Sequence, residues 1–182
     1  MKAICPPRPT CRLCLAAMCA LLLVSACGYR FTPDGGELPG GVRAVFVPIF
    51  DNDTAEPGLG AWFTDAMRLE LSRAGREGGE ASDARLVGRI LEVRDPTAIY
   101  TTDASGQVRR TSARVEAVVE LDLVKGDERL RRVRVRGGED YLVSTSAAGS
   151  LSVLEDDANR RLALRRLAER LMREGYERLQ TF

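Results

Sequence analysis

The chain has 182 residues, of which 27 are Lys or Arg, 26 are Asp or Glu, five are Cys and none is His. That length suits one domain with a tail, and 45% apolar with 29% charged residues is a globular composition rather than a collagen-like, coiled-coil or disordered one. A net charge of +1 gives no strong field for nucleic acid, and the missing His removes the commonest general base and transition-metal ligand.

The N-terminus reads as a processed segment. Lys2, Arg8 and Arg12 are the only charges before Cys27, and an apolar run extends from Leu13 to Val24. A basic start, an apolar run of about 7–15 residues and a small-residue ending mark a secretory signal peptide. A membrane-spanning helix needs about 20 apolar residues. Val24-Ser25-Ala26-Cys27 resembles the lipobox of bacterial lipoproteins. The resemblance implies a signal peptide over 1–26, lipidation of the Cys27 thiol and, with Gly28 next rather than Asp, sorting to the outer membrane. Each buried methylene of such a lipid contributes about 0.8 kcal/mol to anchoring. Cys5, Cys11, Cys14 and Cys19 leave with the signal peptide, so no disulfide is expected in the mature domain. Residues 27–41, rich in Gly and Pro, read as a tether, and 42–182 as a single α/β domain.

Val42 to Phe50 is β-branched and aromatic, which predicts a strand, with Pro48 near its end or on an edge. Asp51-Asn52-Asp53-Thr54 is turn and cap chemistry. Pro57 suits the first turn of a helix. Leu59, Trp62, Phe63, Ala66 and Met67 then form one helical stripe, with Asp65, Arg68 and Glu70 largely off it, and the helix is expected to end near Gly75. Gly75 to Ala81 reads as a flexible loop. Three strands follow: Ala84 to Tyr100, interrupted by Pro96; Val108 to Val124; and Arg129 to Val143, which Gly137-Gly138 is expected to break or bulge.

The last two strands carry their own register. Val115, Ala117, Val119, Leu121 and Leu123 alternate with Glu116, Glu120 and Asp122, and Val133 and Val135 alternate with Arg132, Arg134 and Arg136. Coincident apolar faces require Leu121 opposite Val133 and Val119 opposite Val135. Glu120 then faces Arg134, Asp122 faces Arg132, and Gly126-Asp127-Glu128 becomes a three-residue loop. Ser144 to Ser150 reads as a polar linker. Ser152-Val153-Leu154-Glu155 fits a capping box opening a second helix, with Leu164, Leu167, Ala168 and Leu171 on its stripe, a ring of Arg around the rest, and Gly175 fraying its end. The order β-α-β-β-β-α predicts an α+β two-layer sandwich: a four-stranded, mostly antiparallel sheet with two helices on one face. The direction of strand 1 stays open.

The chemistry points away from catalysis. With no His and no mature thiol, the common nucleophile–base arrangements are missing, and Gly35-Gly36 and Gly40-Gly41 lack the Lys-Ser/Thr of a phosphate loop. No cofactor is implied. Asp156-Asp157 reads as first-turn helix charge, and Trp62-Phe63 as core. The Arg-rich strand Arg129 to Arg136 is either a phosphate-binding surface or a solvated face paired with Glu116, Glu120 and Asp122. Arg109-Arg110, just after the turn at Asp103 to Gly106, read either as an ordinary hairpin end or as a basic tip suited to a phosphorylated lipid.

Cys27-Gly28-Tyr29-Arg30-Phe31, the Gly/Leu/Pro stretch from Gly36 to Val42, the segment from Val45 to Gly58 (VFVPIFDNDTAEPG) and Leu69-Glu70-Leu71 together resemble the LptE family of lipopolysaccharide-assembly lipoproteins. The resemblance implies a non-enzymatic lipoprotein of the outer membrane that plugs the LptD barrel, assists its assembly, binds lipopolysaccharide and helps deliver it to the outer leaflet. It implies LptD, lipopolysaccharide and the membrane as partners, and no nucleic acid. Arg109 and Arg110 stand in for the family's lipopolysaccharide-contacting basic residues, which do not align here. The competing classes are a pilotin-like chaperone for a secretin or barrel, and a lipid-anchored hydrolase.

Overall fold

A computed structural model describes residues 37–102, 104–143 and 150–180, without the side chains at 97, 98, 108–110 and 150–152. The expected signal peptide, Cys27, most of the tether and residues 144–149 of the polar linker lie outside the described residues. The elements are β1 (Val45–Phe46), β2 (Asp51–Asn52), α1 (Leu59–Arg73), β3 (Ala84–Thr102), β4 (Val108–Lys125), β5 (Glu128–Leu142) and α2 (Ser150–Gln180). The sheet runs β1-β3-β4-β5, with β2 also on β3. β1 and β2 are parallel to β3, and the other pairs are antiparallel. The α+β class holds, but the sheet is mixed and has five strands rather than four.

The difference lies in the predicted first strand. Its middle leaves the sheet because α1 takes its backbone groups. The Val47 carbonyl accepts from Arg68 Nη2 at 2.6 Å, and the Phe50 amide donates to Thr64 Oγ1 at 2.9 Å. Four residues, 47–50, then stand opposite three of β3, and the ladder resumes at Asp51↔Arg89. Asp51 and Asn52, expected only as a turn, therefore form β2.

The long antiparallel pairs match expectation in register and differ at the turn. Leu121↔Val133, Val119↔Val135, Glu120↔Arg134 and Asp122↔Arg132 are all observed. The loop is two residues, Gly126-Asp127, because Lys125 pairs with Glu128 and the register slips at Val124↔Arg129. Gly126 supplies the positive φ, 59°, of a tight hairpin. The extra residue is Leu130, a β-bulge that packs partly buried against the core. Leu130 also crowds Gly40, so the end of the expected tether is not free: Leu38 and Val42 are buried and bridge to each other around the 3-10 turn at Pro39–Gly41.

The expectations at Gly137, Gly138 and Gly175 change, while the helix end expected near Gly75 holds. Gly137 and Gly138 do not interrupt β5 but pair in register with Ala117 and Glu116. They leave room for neighbours, since a Cβ on Gly137 would meet Leu171 at 3.0 Å and one on Gly138 would meet Arg114 at 2.7 Å. Gly175 does not fray α2, which continues to Gln180; a Cβ there would meet Leu121 at 2.5 Å, so it lets the helix approach β4 closely. Gly75 ends α1 in a Schellman motif, its amide on the Ser72 carbonyl and the Arg76 amide on the Leu71 carbonyl. The segment after it, expected as a flexible loop, pairs with β1: Val45 donates to Arg76 and accepts from Gly78.

Both helices bury their stripes in one core with one sheet face. Phe63, Met67, Leu71, Leu164, Leu167, Leu171 and Met172 meet Leu86, Ile90, Val119, Leu121 and Val135, all essentially inaccessible. Burying each such side chain contributes about 1.5–3 kcal/mol. α1 begins after Gly58 rather than at Pro57. α2 begins at Ser150, so Ser152 lies inside the helix and is not its cap. Glu70, expected off the stripe, is nearly buried, with Arg73 at 2.7 Å and Arg173 at 3.7 Å.

Candidate functional site

The motif from Val45 to Gly58 serves the fold. Asn52 ties its turn, with Nδ2 donating to the Glu56 carbonyl at 2.7 Å and Oδ1 accepting from the Thr54 hydroxyl at 2.7 Å. Thr54 Oγ1 in turn accepts from the Glu56 amide. That turn aims the Glu56 carboxylate at Arg160 of α2, 2.8 Å away. Arg160 also holds Asp95 at 3.1 Å, beside Pro96, where β3 bulges. One guanidinium thus joins the motif, the bulge and α2. Burial works against its charge, but the hydrogen bonds it donates to Asp95 and Glu56 more than offset this and raise its pKa above the usual arginine value. Sequence alone showed Arg160 only as one of the ring of Arg on α2.

The outer sheet face is a ladder of opposite charges. Arg132 makes a two-pronged contact with Asp122, Nε to Oδ1 at 2.7 Å and Nη2 to Oδ2 at 2.6 Å. Arg134 reaches Glu120 at 3.0 Å, and Arg132 also lies 3.5 Å from it. Glu116 sits between Arg94 at 3.3 Å and Arg114 at 3.5 Å, and Arg114 continues to Asp140 at 3.1 Å. The hydrogen bond from Arg132 holds the Asp122 carboxyl below its usual range, against the effect of burial, and the same bond raises the Arg132 pKa. Of the two readings of the Arg-rich strand, the structure supports the paired, solvated face.

Arg109 and Arg110 open β4 at the far end of the β3–β4 hairpin, opposite Thr101 and Tyr100; their side chains are outside the described set. Ile99 and Tyr100 are more than half exposed there. The tip therefore pairs a basic dipeptide with exposed apolar side chains, a combination visible in Ala98-Ile99-Tyr100 but not singled out in the sequence. Leu142, Val153 and Leu154 are likewise exposed. Phe63 is core as expected, while Trp62 is only partly buried. Arg165 lies 5.0 Å above the Trp62 ring, and together they line a groove of about 400 Å³ with Asp65, Leu69 and Glu169. Asp157 pairs with Arg161 at 2.8 Å, in the second turn of α2 and not in the first turn where its charge was expected. Among the described residues, no group of three His, Cys, Asp or Glu is arranged to hold a metal, and no helix is long and apolar enough to cross a membrane.

Comparison with known proteins gives one sequence-level match. The family model described as "LptE: Lipopolysaccharide-assembly" matches residues 42–179. No curated protein sequence matches. Solved structures with a similar chain path include a minor lipoprotein from Acinetobacter baumannii, 10% identical, covering 75% of this chain and 93% of that one at a TM-score of 0.44. Rare lipoprotein B from Shewanella oneidensis is 13% identical, covering 74% and 89% at 0.41. PelC from Paraburkholderia phytofirmans is 18% identical, covering 81% and 95% at 0.42.

Proposed function

The chain belongs to the LptE family of lipopolysaccharide-assembly proteins, and from that premise we propose that it is a non-enzymatic lipoprotein of the outer membrane, anchored through Cys27 on the periplasmic side. It plugs an LptD-like β-barrel, assists assembly of that barrel and helps pass lipopolysaccharide to the outer leaflet. The family match across the folded domain carries this reading.

Two features of the chain support it. A plug in a barrel lumen meets water and polar side chains. The outer sheet face suits that setting, since its arginines and carboxylates neutralise one another in place. The hairpin tip suits the ligand: Arg109 and Arg110 supply charge for phosphate groups, and Ile99 and Tyr100 supply apolar surface beside them.

The test is purification of the full-length lipoprotein, tagged at its C-terminus, from detergent-solubilised outer membranes of the native host. A large β-barrel recovered one-to-one is the expected result. Recovery of a secretin in its place, or of no barrel, would sink the proposal.

A further inference from the structure

We propose that the open edge of the sheet, β5, is locked against strand addition by side chains of α2, so that this chain does not self-associate by edge pairing. An edge strand presents unpaired amides and carbonyls to any other chain, and proteins cover or charge such edges to prevent it. Here β1 and β2 are two residues each, and the segment after α1 covers Val45. Among the described residues β5 is the long edge, Glu128–Leu142.

Backbone parity shows which groups face outward. The Val143 amide donates to Thr111 of β4 at 3.1 Å. Odd-numbered residues above the Leu130 bulge therefore point into the sheet, and even-numbered ones point to the edge. Three outward carbonyls are taken by α2. Arg134 accepts from Arg178 Nη1 at 3.0 Å, Gly138 accepts from Arg170 Nη2, and Leu142 accepts from Asn159 Nδ2 at 3.1 Å.

The spacing explains why one helix can do this. Four residues of strand span about 13 Å, and eight residues of helix span about 12 Å. α2 runs antiparallel to β5, so Arg170 and Arg178 arrive over carbonyls four residues apart. Each guanidinium is itself held by a carboxylate, Arg170 by Glu139 at 3.2 Å and Arg178 by Glu174. From Arg134 to Leu142 every second outward carbonyl is occupied. An incoming strand finds no two successive outward residues open, and it meets two guanidinium heads, each fixed by a carboxylate, in its path. The lock stands whether or not the chain meets a barrel.

The test uses the full-length chain in detergent, with protein mass read by light scattering over a range of concentrations. The wild-type chain is expected to remain monomeric. Arg170→Met combined with Arg178→Met keeps the aliphatic stems and removes both guanidinium heads. This variant is expected to shift toward twice the monomer mass as concentration rises. Adding Arg136→Pro removes an outward amide and blocks strand docking, and is expected to restore the monomer. A folded Met/Met variant that stays monomeric overturns the proposal. So does a dimer that Arg136→Pro leaves intact, or a wild-type dimer whose amides at 132–142 are protected from exchange. Should the Met/Met variant lose its circular-dichroism signal, Arg178→Met alone and Asn159→Ala alone carry the same two outcomes.

Discussion

The Phe50 ring occupies the space above Gly88: a Cβ built on Gly88 would meet the ring at 2.3 Å. Phe50 is buried, and it is the last residue of the segment where the chain leaves the sheet. The missing side chain in β3 is thus what admits the motif to the core. Overpacking a filled core costs about 1–3 kcal/mol, so Gly88→Ala is expected to lower the urea midpoint by at least that equivalent. In a Phe50→Ala background the same substitution should cost little, because the obstructing ring is gone. Additive losses would show that the two positions do not share the space.

Thr64 makes a second link to the same segment. Its buried hydroxyl accepts from the Phe50 amide at 2.9 Å and donates to the Gly60 carbonyl at 2.6 Å. Valine has the same shape and no hydroxyl. Thr64→Val leaves the Phe50 amide without a partner, a loss of about 1–3 kcal/mol. Thr64→Ser keeps the acceptor and should recover most of it. Equal melting temperatures for the Val and Ser variants would rule this link out.

Arg160 should be the most sensitive arginine of α2. It joins Glu56 and Asp95 from two other parts of the fold and is mostly shielded from solvent. Hydrogen bonds to charged groups contribute about 1.5–3 kcal/mol. Arg160→Leu is expected to lose an amount in that range, whereas Arg161→Leu, on the exposed side, should lose under about 1 kcal/mol. Arg160→Lys should fall between wild type and Leu, because a compact ammonium keeps the charge but lacks the planar fork whose separate nitrogens reach Glu56 and Asp95. Matching losses at 160 and 161 would contradict the joining role.

On the proposed role, Arg109 and Arg110 meet phosphate groups. Arg109→Glu with Arg110→Glu is expected to weaken lipopolysaccharide capture by the purified chain at least about tenfold, equivalent to roughly 1.4 kcal/mol, with the melting temperature unchanged. The wild-type interaction should weaken with added salt. Unchanged capture would move the ligand contact away from this tip.

Some of these features could be read before folding and others could not. The β4–β5 register was readable because apolar and charged faces constrain it together, and only one slip satisfies both. The bulge beside it had a sign: Leu130 is apolar at a position whose parity otherwise carries Arg132 and Arg134. The split of the first strand had Pro48 as its hint, but its cause is remote, since Arg68 and Thr64 of α1 claim the backbone groups. Gly137, Gly138 and Gly175 read locally as breaks, and only the neighbours Leu171, Arg114 and Leu121 show them as points of close approach. The basic pair at the hairpin tip was visible as composition. Arg160 was not, because nothing local separates it from the other arginines of α2 until Glu56 and Asp95 are brought to it.

Acid should act on the outer face through Asp122. Hydrogen bonding from Arg132 is the largest cause of its lowered pKa, burial opposes it, and the charges of Arg132, Arg129 and Arg89 add to it. The folded value lies below the ordinary 3.8, so folding favours the ionised form. The resulting stability is fully present above the ordinary value and is lost as pH falls through the lower folded value. Asp122→Asn is therefore expected to cost about 1 kcal/mol near neutral pH, at the upper end for an accessible pair because the contact is two-pronged. Below about pH 4 the wild-type chain should lose its advantage and approach the variant. High salt should shrink the difference at neutral pH. Chemical denaturation of both chains across that range checks the sign, and parallel curves with no convergence in acid would remove Asp122 from the acid response.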